Sequence, residues 1–171
     1  VDMEVDVTDA RAIGDCVREV SPRAVFHLAA WTDVDGAEEH EAQAEAVNAQ
    51  GSGNVAAAAA EVGAALVVPS TDYVFDGTAG RAYIEDDATA PLGAYGRTKL
   101  AGEHAALAAC PAGARIARTA WLYGASGRNF VDTMRRLGGE REEVSVVAVS
   151  LKKKTWTRDL APALEALLDQ P

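Results

Sequence analysis

The clearest sign of the architecture is the stretch Val67-Val68-Pro69-Ser70-Thr71-Asp72-Tyr73-Val74-Phe75-Asp76-Gly77, which passes from an apolar run into a polar segment. Residues 65–69 have the short, continuous apolar character of a strand buried in a parallel sheet. The polar residues follow at the expected carboxyl end of that strand, where ligands bind in parallel α/β sheets. We therefore expect Thr71 and Asp72 to lie at a ligand site, although the same residues also suit a plain turn and cap.

Short apolar runs alternate with longer amphipathic stretches along the chain, which is typical of repeated βαβ units around a parallel sheet. Helices are predicted over residues 6–20, 42–62, 92–110, 129–137 and 157–168. Strands are predicted over residues 24–28, 65–69, 115–117 and 144–149. Thr8 or Asp9 is expected to cap the first helix, and Thr157 the last, with Asp159 in its first turn. The predicted fold class is α/β, a Rossmann-like parallel sheet with helices on both faces.

The length, the net charge and the distribution of apolar residues indicate which classes of protein this chain can belong to. A chain of 171 residues is enough for one domain with its own core. The formal net charge of -10 argues against a nucleic-acid partner, because lysine and arginine drive binding to phosphate backbones. The short basic run from Lys152 to Lys154 is interpreted as a solvated loop. No apolar run approaches the roughly 18 residues that suggest a membrane span.

The two cysteines, Cys16 and Cys110, lie far apart in predicted helices without metal-ligand spacing, which is typical of small core residues. Together with the absence of a signal-peptide pattern, they favour the cytoplasm. Val1 is not an initiating methionine, so we expect the amino terminus of the protein to lie upstream.

A glycine-rich turn is the usual pyrophosphate site of a dinucleotide-binding fold, yet no G-x-G-x-x-G follows any predicted strand. We therefore expect the first βα unit to lie upstream of Val1. Because the amides of that turn hold the pyrophosphate, residues 1–171 alone are expected to bind a dinucleotide weakly.

Tyr95 and Lys99 form a Y-x-x-x-K pair on a predicted helix, which places both side chains on one face, a turn apart. A tyrosine with a pKa of about 10 exchanges protons poorly at neutral pH, but a nearby ammonium favours phenolate and lowers that pKa. Such a pair can exchange a proton with a carbonyl or an alcohol. The alternative interpretation is an ordinary surface pair on a helix.

Two further segments follow predicted strands. In His27-Leu28-Ala29-Ala30-Trp31-Thr32 the small residues would let a flat cofactor approach the backbone. Asn48, in the next helix, could bind a main-chain group near the site or could face solvent. In Arg118-Thr119-Ala120-Trp121-Leu122-Tyr123-Gly124, Trp121 is either a core residue or a platform for a ligand ring.

Short motifs occur in a fixed order along nearly the whole chain: Asp6-Val7-Thr8-Asp9, Ala29-Ala30-Trp31-Thr32-Asp33-Val34-Asp35 with Glu38, Val47-Asn48, Ser70 to Gly77, Tyr95-Gly96-Arg97-Thr98-Lys99, Arg118 to Gly124, Asn129-Phe130-Val131 and Thr155-Trp156-Thr157-Arg158-Asp159-Leu160. In this combination the sequence resembles the extended short-chain dehydrogenase/reductase family, and within it the reductases of 4-keto nucleotide sugars. Sugar-nucleotide dehydratases of the same superfamily usually carry an acidic pair after the threonine, whereas here Asp72 is followed by Tyr73.

The resemblance implies a role for each matching residue. Tyr95 would be the general acid, Lys99 would tune its pKa and anchor the nicotinamide ribose, and Thr71 would polarise the C4 carbonyl. The cofactor, NADPH or NADH, would contact four residues besides Tyr95 and Lys99, namely Ala29, Ala30, Trp31 and Thr32. The nucleotide-sugar substrate would contact Thr71, Asp72 and Trp121, and Asn48 would support the active site. Relatives of this family can form homodimers, sometimes with magnesium at the interface.

Residues 148–155 depart from the family pattern, which usually reads close to D-D-Q-x-G-x-P-T where this chain has Ala148-Val149-Ser150-Leu151-Lys152-Lys153-Lys154-Thr155. The resemblance also implies that most of the substrate-binding region lies beyond Pro171. Alternatives are an epimerase or a reductase of another nucleotide sugar, and a non-catalytic NADP-binding subunit resembling the regulator of methionine adenosyltransferase. An inactive relic is a further alternative.

Overall fold

Helices and strands alternate along the chain, and a computed structural model describes them over residues 4–127, 129–145 and 154–169. The helices are α1 (Ala10–Val20), α2 (Val34–Glu39), α3 (Glu41–Glu45), α4 (Gly51–Glu61), α5 (Ala94–Ala109), α6 (Phe130–Glu140) and α7 (Thr157–Ala166). The strands are β1 (Ala24–Phe26), β2 (Ala65–Thr71), β3 (Ala114–Thr119), β4 (Leu122–Tyr123) and β5 (Thr155–Trp156). Three short segments complete the order: a π-helical segment (Ala46–Gln50) and two 3₁₀ turns (Asp72–Val74 and Leu167–Asp169).

The central sheet has the order β1-β2-β3, and both of its strand pairs are parallel. Phe26 pairs with Val67, and Thr71 pairs with Thr119, so the carboxyl ends of β2 and β3 lie side by side. The predicted parallel α/β sheet is therefore confirmed. The strands β4 and β5 form a separate parallel pair that the sequence pattern did not predict.

The main core lies on one face of the sheet. Leu66 and Val68 of β2 point into a cluster formed by apolar side chains of α1, α4 and α5. Because strand residues alternate between faces, these two side chains mark the face that the three helices cover. Cys110 is buried in the same cluster, as expected for a small core residue, whereas Cys16 is only half-buried. The 3₁₀ turn after α7 contacts β2 as well.

Helix α1 begins after Asp9, whose carboxylate accepts the backbone N–H groups of Arg11 and Ala12, each at 3.0 Å. Asp9 rather than Thr8 is thus the cap. The helix ends at Ser21, which adopts a left-handed conformation with φ of 45° before Pro22. A left-handed residue that satisfies a helix carbonyl is a common helix terminus.

Several predicted boundaries were wrong. The helix expected over residues 42–62 is interrupted by the π-helical segment, and α2 lies where the sequence pattern predicts no helix or strand. Thr157 is the first residue of α7 rather than its cap, although Asp159 does lie in the first turn. Val144 and Ser145 are irregular, and the rest of the strand predicted over residues 144–149 lies outside the described residues. In the described ranges, no helix is long and apolar enough to cross a membrane.

Candidate active site

Three consecutive residues at the carboxyl end of β2 are held by side chains of α5. The Lys99 ammonium donates to the Pro69 carbonyl oxygen at 3.0 Å. The Ser70 hydroxyl donates to the Glu103 carboxylate, and the Thr71 hydroxyl lies near the phenol of a helix tyrosine, Tyr95. A helix places residues four apart on one face, so this contact of α5 and β2 brings a hydroxyl, a phenol and an ammonium to one sheet edge.

The Tyr95 phenol is half-buried against this edge. Burial raises its pKa above the ordinary value of 10.0, and the charges of Asp72 and Tyr73 add to that effect, while the hydrogen bond to Thr71 acts against it. The expectation that Lys99 lowers the pKa of Tyr95 was therefore wrong, because the pKa is raised by burial, which outweighs the lowering effect of Thr71. The phenol stays protonated through neutral pH, so it is a proton donor there.

Lys99 is 7% exposed, unusual for a lysine. Burial lowers the pKa of its ammonium, and the nearby Glu103 carboxylate opposes that shift. An ammonium has three N–H donors, of which one binds the Pro69 carbonyl. The others can bind a hydroxyl-rich ligand at the same edge.

Helix α5 is held at its amino end by acidic side chains from α2 and α3. The Glu38 carboxylate accepts the backbone N–H of Ala94 at 2.7 Å, which caps a helix whose own N-cap residue, Gly93, has no side chain. A carboxylate at this end is also favoured by the helix dipole. Glu41 forms an exposed two-point ion pair with Arg97 at 2.8 and 3.0 Å.

Two glycines let α5 approach its neighbours closely. A Cβ at Gly96 would lie closer than 3.0 Å to the backbone carbonyl oxygen of Tyr73, and a Cβ at Gly102 would lie equally close to that of Asn48. The face of α5 that carries Tyr95 and Lys99 is thus packed directly against main chain. A larger residue at either glycine would push that face away from β2.

Asn48 is 1% exposed and lies in the π-helical segment. Its amide oxygen accepts the N–H of Trp31 at 2.9 Å, and its amide nitrogen donates to the Trp31 carbonyl at 3.3 Å and to the Thr98 hydroxyl at 3.1 Å. Thr98 in turn donates to the Tyr95 carbonyl. Asn48 therefore joins the segment after β1 to α5. Single π-helical turns inside helices are frequent at functional sites.

The segment after β1 presents the residues expected to line a cofactor. Ala29 and Thr32 are exposed, and Ala30 and Trp31 are half-buried. The indole of Trp31 donates to the Asp33 carbonyl at 2.9 Å and packs, like Tyr95, against a small cluster of buried alanines. Trp31 and Tyr95 thus share one cluster beside the sheet edge.

Trp121 lies in a different group of residues. Its φ is 49°, a left-handed conformation that costs a bulky residue about 1–3 kcal/mol. Its ring meets the edge of Phe130 at 4.7 Å, and the Lys154 ammonium lies 5.6 Å from the ring centre. Strain of this kind clusters at functional sites, but the contacts place Trp121 with Phe130 and Lys154 rather than with Tyr95.

The most important residue that sequence reasoning missed is Glu103, which is 2% exposed. Besides Ser70, it binds the guanidinium of Arg118 at 2.7 to 3.2 Å. One signal was available, because Glu103 follows Lys99 by four residues and Tyr95 by eight. An acidic residue on the same helix face as a candidate site is worth testing for a buried partner.

Buried His27 connects the end of β1 to Asn48. Its backbone N–H continues the sheet by donating to the Val67 carbonyl, and its Nε2 lies 3.1 Å from the Ser52 hydroxyl. Ser52 donates its own proton to the Asn48 carbonyl at 2.6 Å. The hydrogen-bond network therefore assigns the proton of a neutral His27 to Nε2.

Replacing His27 by glutamine is expected to remove much of the acid sensitivity of the fold. Burial, aided by the Lys99 charge, lowers the pKa of His27 from 6.5 to about 4. A depressed folded-state pKa gives stability that is present above 6.5 and is lost as the pH falls towards 4, because only the unfolded chain takes up the proton there. That difference corresponds to about 3 kcal/mol. Urea unfolding of wild type and His27→Gln at several pH values measures it.

The exposed His104 on α5 supplies the matched control for this experiment. His104→Gln removes an imidazole that meets water in both states, so its stability is expected to follow wild type across the same pH range. If wild type and His27→Gln lose stability in parallel between neutral and acid pH, the buried neutral histidine is not the cause.

The parallel sheet with a hydroxyl, a phenol and an ammonium at its carboxyl edge has the arrangement expected of a Rossmann-like short-chain reductase. Residues 2–171 match the RmlD substrate binding domain family, and the chain belongs to that family.

Relatives and a solved structure agree with this assignment. A dTDP-4-dehydrorhamnose reductase from Streptomyces griseus is 49% identical over 163 residues, which are 95% of this chain and 54% of the relative. A dTDP-4-keto-6-deoxy-D-glucose reductase from Streptomyces niveus is 44% identical over 165 residues, 96% of this chain and 57% of that protein. The crystal structure of dTDP-4-dehydrorhamnose reductase from Bacillus anthracis in complex with NADP has a TM-score of 0.92 and 43% identity, and the match covers 97% of this chain and 59% of that one. The chain thus spans about half the length of the curated relatives it matches.

Proposed function

We propose that the protein containing this chain reduces the C4 keto group of dTDP-4-dehydro-L-rhamnose to give dTDP-L-rhamnose, with NADPH or NADH as the reductant. The observation that carries the proposal is that the Tyr95 phenol and the Thr71 hydroxyl lie near each other at the carboxyl edge of the sheet. Relatives of this name that match nearly the whole chain support the choice of substrate. The reaction belongs to nucleotide-sugar biosynthesis.

Thr71 and Tyr95 would act on one substrate oxygen. Both hydroxyls can donate, and because they lie near each other, a carbonyl oxygen placed beside both can accept from both. As hydride adds to C4, the O–H bond of Tyr95 breaks and its proton moves to the carbonyl oxygen. Thr71 would stabilise the negative charge that develops on that oxygen, and solvent would later reprotonate the phenolate.

The residues around Lys99 fit the nicotinamide end of the cofactor. The buried ammonium has N–H donors beyond the one that binds Pro69, and ribose hydroxyls accept such donors. The small side chains of Ala29 and Ala30, which follow β1, would leave room for a flat ring against the backbone, with Trp31 and Thr32 beside it. When bound, the reduced nicotinamide supplies the hydride.

The sugar would be contacted by Thr71, Asp72 and Trp121. Asp72 follows Thr71 in the 3₁₀ turn and accepts from its hydroxyl at 3.4 Å. Trp121 offers an aromatic face that is 36% exposed, and sugars pack on such faces.

Both cysteines are free thiols in the structure, which suits a reducing compartment, so we place the protein in the cytoplasm. The homodimer and any magnesium remain predictions.

The assay for this proposal uses the complete reading frame, since the chain covers about half of its relatives. We expect loss of the reduced-nicotinamide absorbance that depends on dTDP-4-dehydrorhamnose, with dTDP-rhamnose as the product by mass spectrometry. A protein that binds reduced cofactor but never oxidises it with this substrate would overturn the proposal and favour a non-catalytic cofactor-binding role.

A second candidate substrate is another 4-keto-6-deoxysugar nucleotide. The Streptomyces niveus relative supports it, because a protein 44% identical to this chain is named as a dTDP-4-keto-6-deoxy-D-glucose reductase. The ratio of kcat/KM for the two sugars decides between them, and the larger value identifies the substrate.

A further inference from the structure

Glu103 is a charged residue at the centre of a buried network. It lies on the face of α5 that meets β2. Both the whole residue and its side chain are only 2% exposed. A buried carboxylate is costly unless it is paired and hydrogen-bonded. Glu103 has both kinds of partner, since Ser70 donates to it from β2 and Arg118 binds it from β3.

The network reaches the candidate catalytic residues through the backbone of β2. Ser70 lies between Pro69, whose carbonyl binds Lys99, and Thr71, whose hydroxyl lies near the Tyr95 phenol. The Ser70 carbonyl also accepts the hydroxyl of Thr119 on the neighbouring strand at 3.0 Å. Any shift of Ser70 would therefore move both contacts at the end of β2.

Glu103 also balances charge around Lys99. The titratable groups that influence or neighbour this ammonium are Glu103 on α5, His27 after β1 and, through Glu103, Arg118 on β3. Burial disfavours the cation, and the anion of Glu103 favours it. His27, whose own pKa is lowered by burial and by Lys99, is neutral above acid pH.

We infer that Glu103 is a positioning residue for the Thr71, Tyr95 and Lys99 centre. Its carboxylate fixes Ser70 at the end of β2 and keeps the buried Lys99 ammonium charged, while Arg118 holds the carboxylate in place and partly neutralises it. Glu103 acts through Lys99 and the β2 backbone and does not itself touch the reacting atoms. The catalytic consequence rests on the proposed reductase function, whereas the electrostatic one does not.

Removing one or the other partner of the Glu103–Arg118 ion pair is expected to shift the pKa of Lys99 in opposite directions. Glu103→Gln removes the anion and leaves the Arg118 cation nearby, so the pKa of Lys99 is expected to fall further. Arg118→Gln removes the cation and leaves the anion beside Lys99, so the pKa of Lys99 is expected to rise. A side chain that served only to stabilise the fold would give the same direction of change in both variants.

Nuclear magnetic resonance of lysine labelled with ¹³C and ¹⁵N in the complete protein measures the titration of Lys99 directly, with its signal assigned by its loss in Lys99→Arg. We expect its midpoint to move down by about one pH unit in Glu103→Gln and upward in Arg118→Gln. The alkaline limb of kcat against pH is expected to move in the same directions. Glu41→Gln is the matched control, because it breaks an exposed ion pair of α5 with the same change in net charge.

The outcomes separate this inference from the proposed function. Lysine titrations that shift in opposite directions, in a protein without reductase activity, support the electrostatic role of Glu103 and overturn the reductase. Unshifted titrations in Glu103→Gln, or shifts of one sign in both variants, overturn the inference even if the reductase is active. If Glu103→Gln does not fold, the direction of the shift in Arg118→Gln alone decides.

Discussion

Replacing Tyr95 by phenylalanine is expected to lower kcat of the reductase by about 10²- to 10⁴-fold, the usual contribution of a general acid. The substitution removes the phenolic proton that would reach the substrate oxygen. It keeps the aromatic ring, which packs edge-on against Tyr73 with ring centres 5.7 Å apart. The fold should therefore change little, and the cofactor should still bind, because Lys99 and the residues after β1 are unchanged. Steady-state kinetics with saturating cofactor, together with cofactor titration by fluorescence, measure both quantities.

Tyr83→Phe is the control for this loss of a hydroxyl. The Tyr83 hydroxyl donates to Asp76 at 2.7 Å and its ring stacks on Phe75, away from Thr71. That variant should keep its turnover. A Tyr95→Phe enzyme with the kcat of wild type would show that the proton comes from elsewhere, and the proposed mechanism would then be abandoned.

The raised pKa of Tyr95 determines how the rate of reduction is expected to depend on pH. Because the folded-state pKa is raised, the phenol remains protonated to a higher pH than a free tyrosine. Reduction needs the protonated phenol. Its rate should therefore not change through titration of Tyr95 from neutral pH up to the alkaline limb. The alkaline limb then reports the loss of the Lys99 proton, because the pKa of Lys99 is lowered, so the residual activity of Tyr95→Phe should keep that limb.

The parts of the fold that are encoded locally were predictable from the sequence. The apolar run of β2 ends at a polar segment, and the spacing of Tyr95 and Lys99 places them on one helix face, so their meeting at a sheet edge followed from chain geometry. Asp9 as a helix cap followed from the chemistry of its side chain. These features depend on neighbours within a few residues.

The parts that were missed depend on distant contacts. The Ala-rich sequence does not reveal the π-helical segment, and the Asn48 within it is hydrogen-bonded to Trp31, 17 residues earlier. The strands β4 and β5 have two residues each and pair across a long separation. The sign of the pKa shift of Tyr95 depends on burial, which spacing alone does not reveal.

Replacing Gly96 by alanine is expected to destabilise the fold by about 2 kcal/mol or more, which corresponds to about 4–8 °C in Tm for a protein of this size. Alanine is the better helix former by about 1 kcal/mol, so propensity alone predicts the opposite sign. The added methyl group would overlap the Tyr73 carbonyl and meet Pro91 at 3.0 Å. Since the carbonyl belongs to main chain, α5 has to move, and Tyr95 moves with it.

Gly138 offers the matched control, because it also lies inside a helix, α6, and a Cβ there meets nothing within 4 Å. Gly138→Ala is expected to raise stability by up to about 1 kcal/mol. Thermal and urea unfolding compare the two variants. If both alanines stabilise the protein, α5 does not pack on the Tyr73 carbonyl, and the contact that presents Tyr95 to Thr71 is not the one described. If only Gly96→Ala destabilises the protein, and its folded molecules have a lower kcat, then the position of the Tyr95 phenol depends on this close approach.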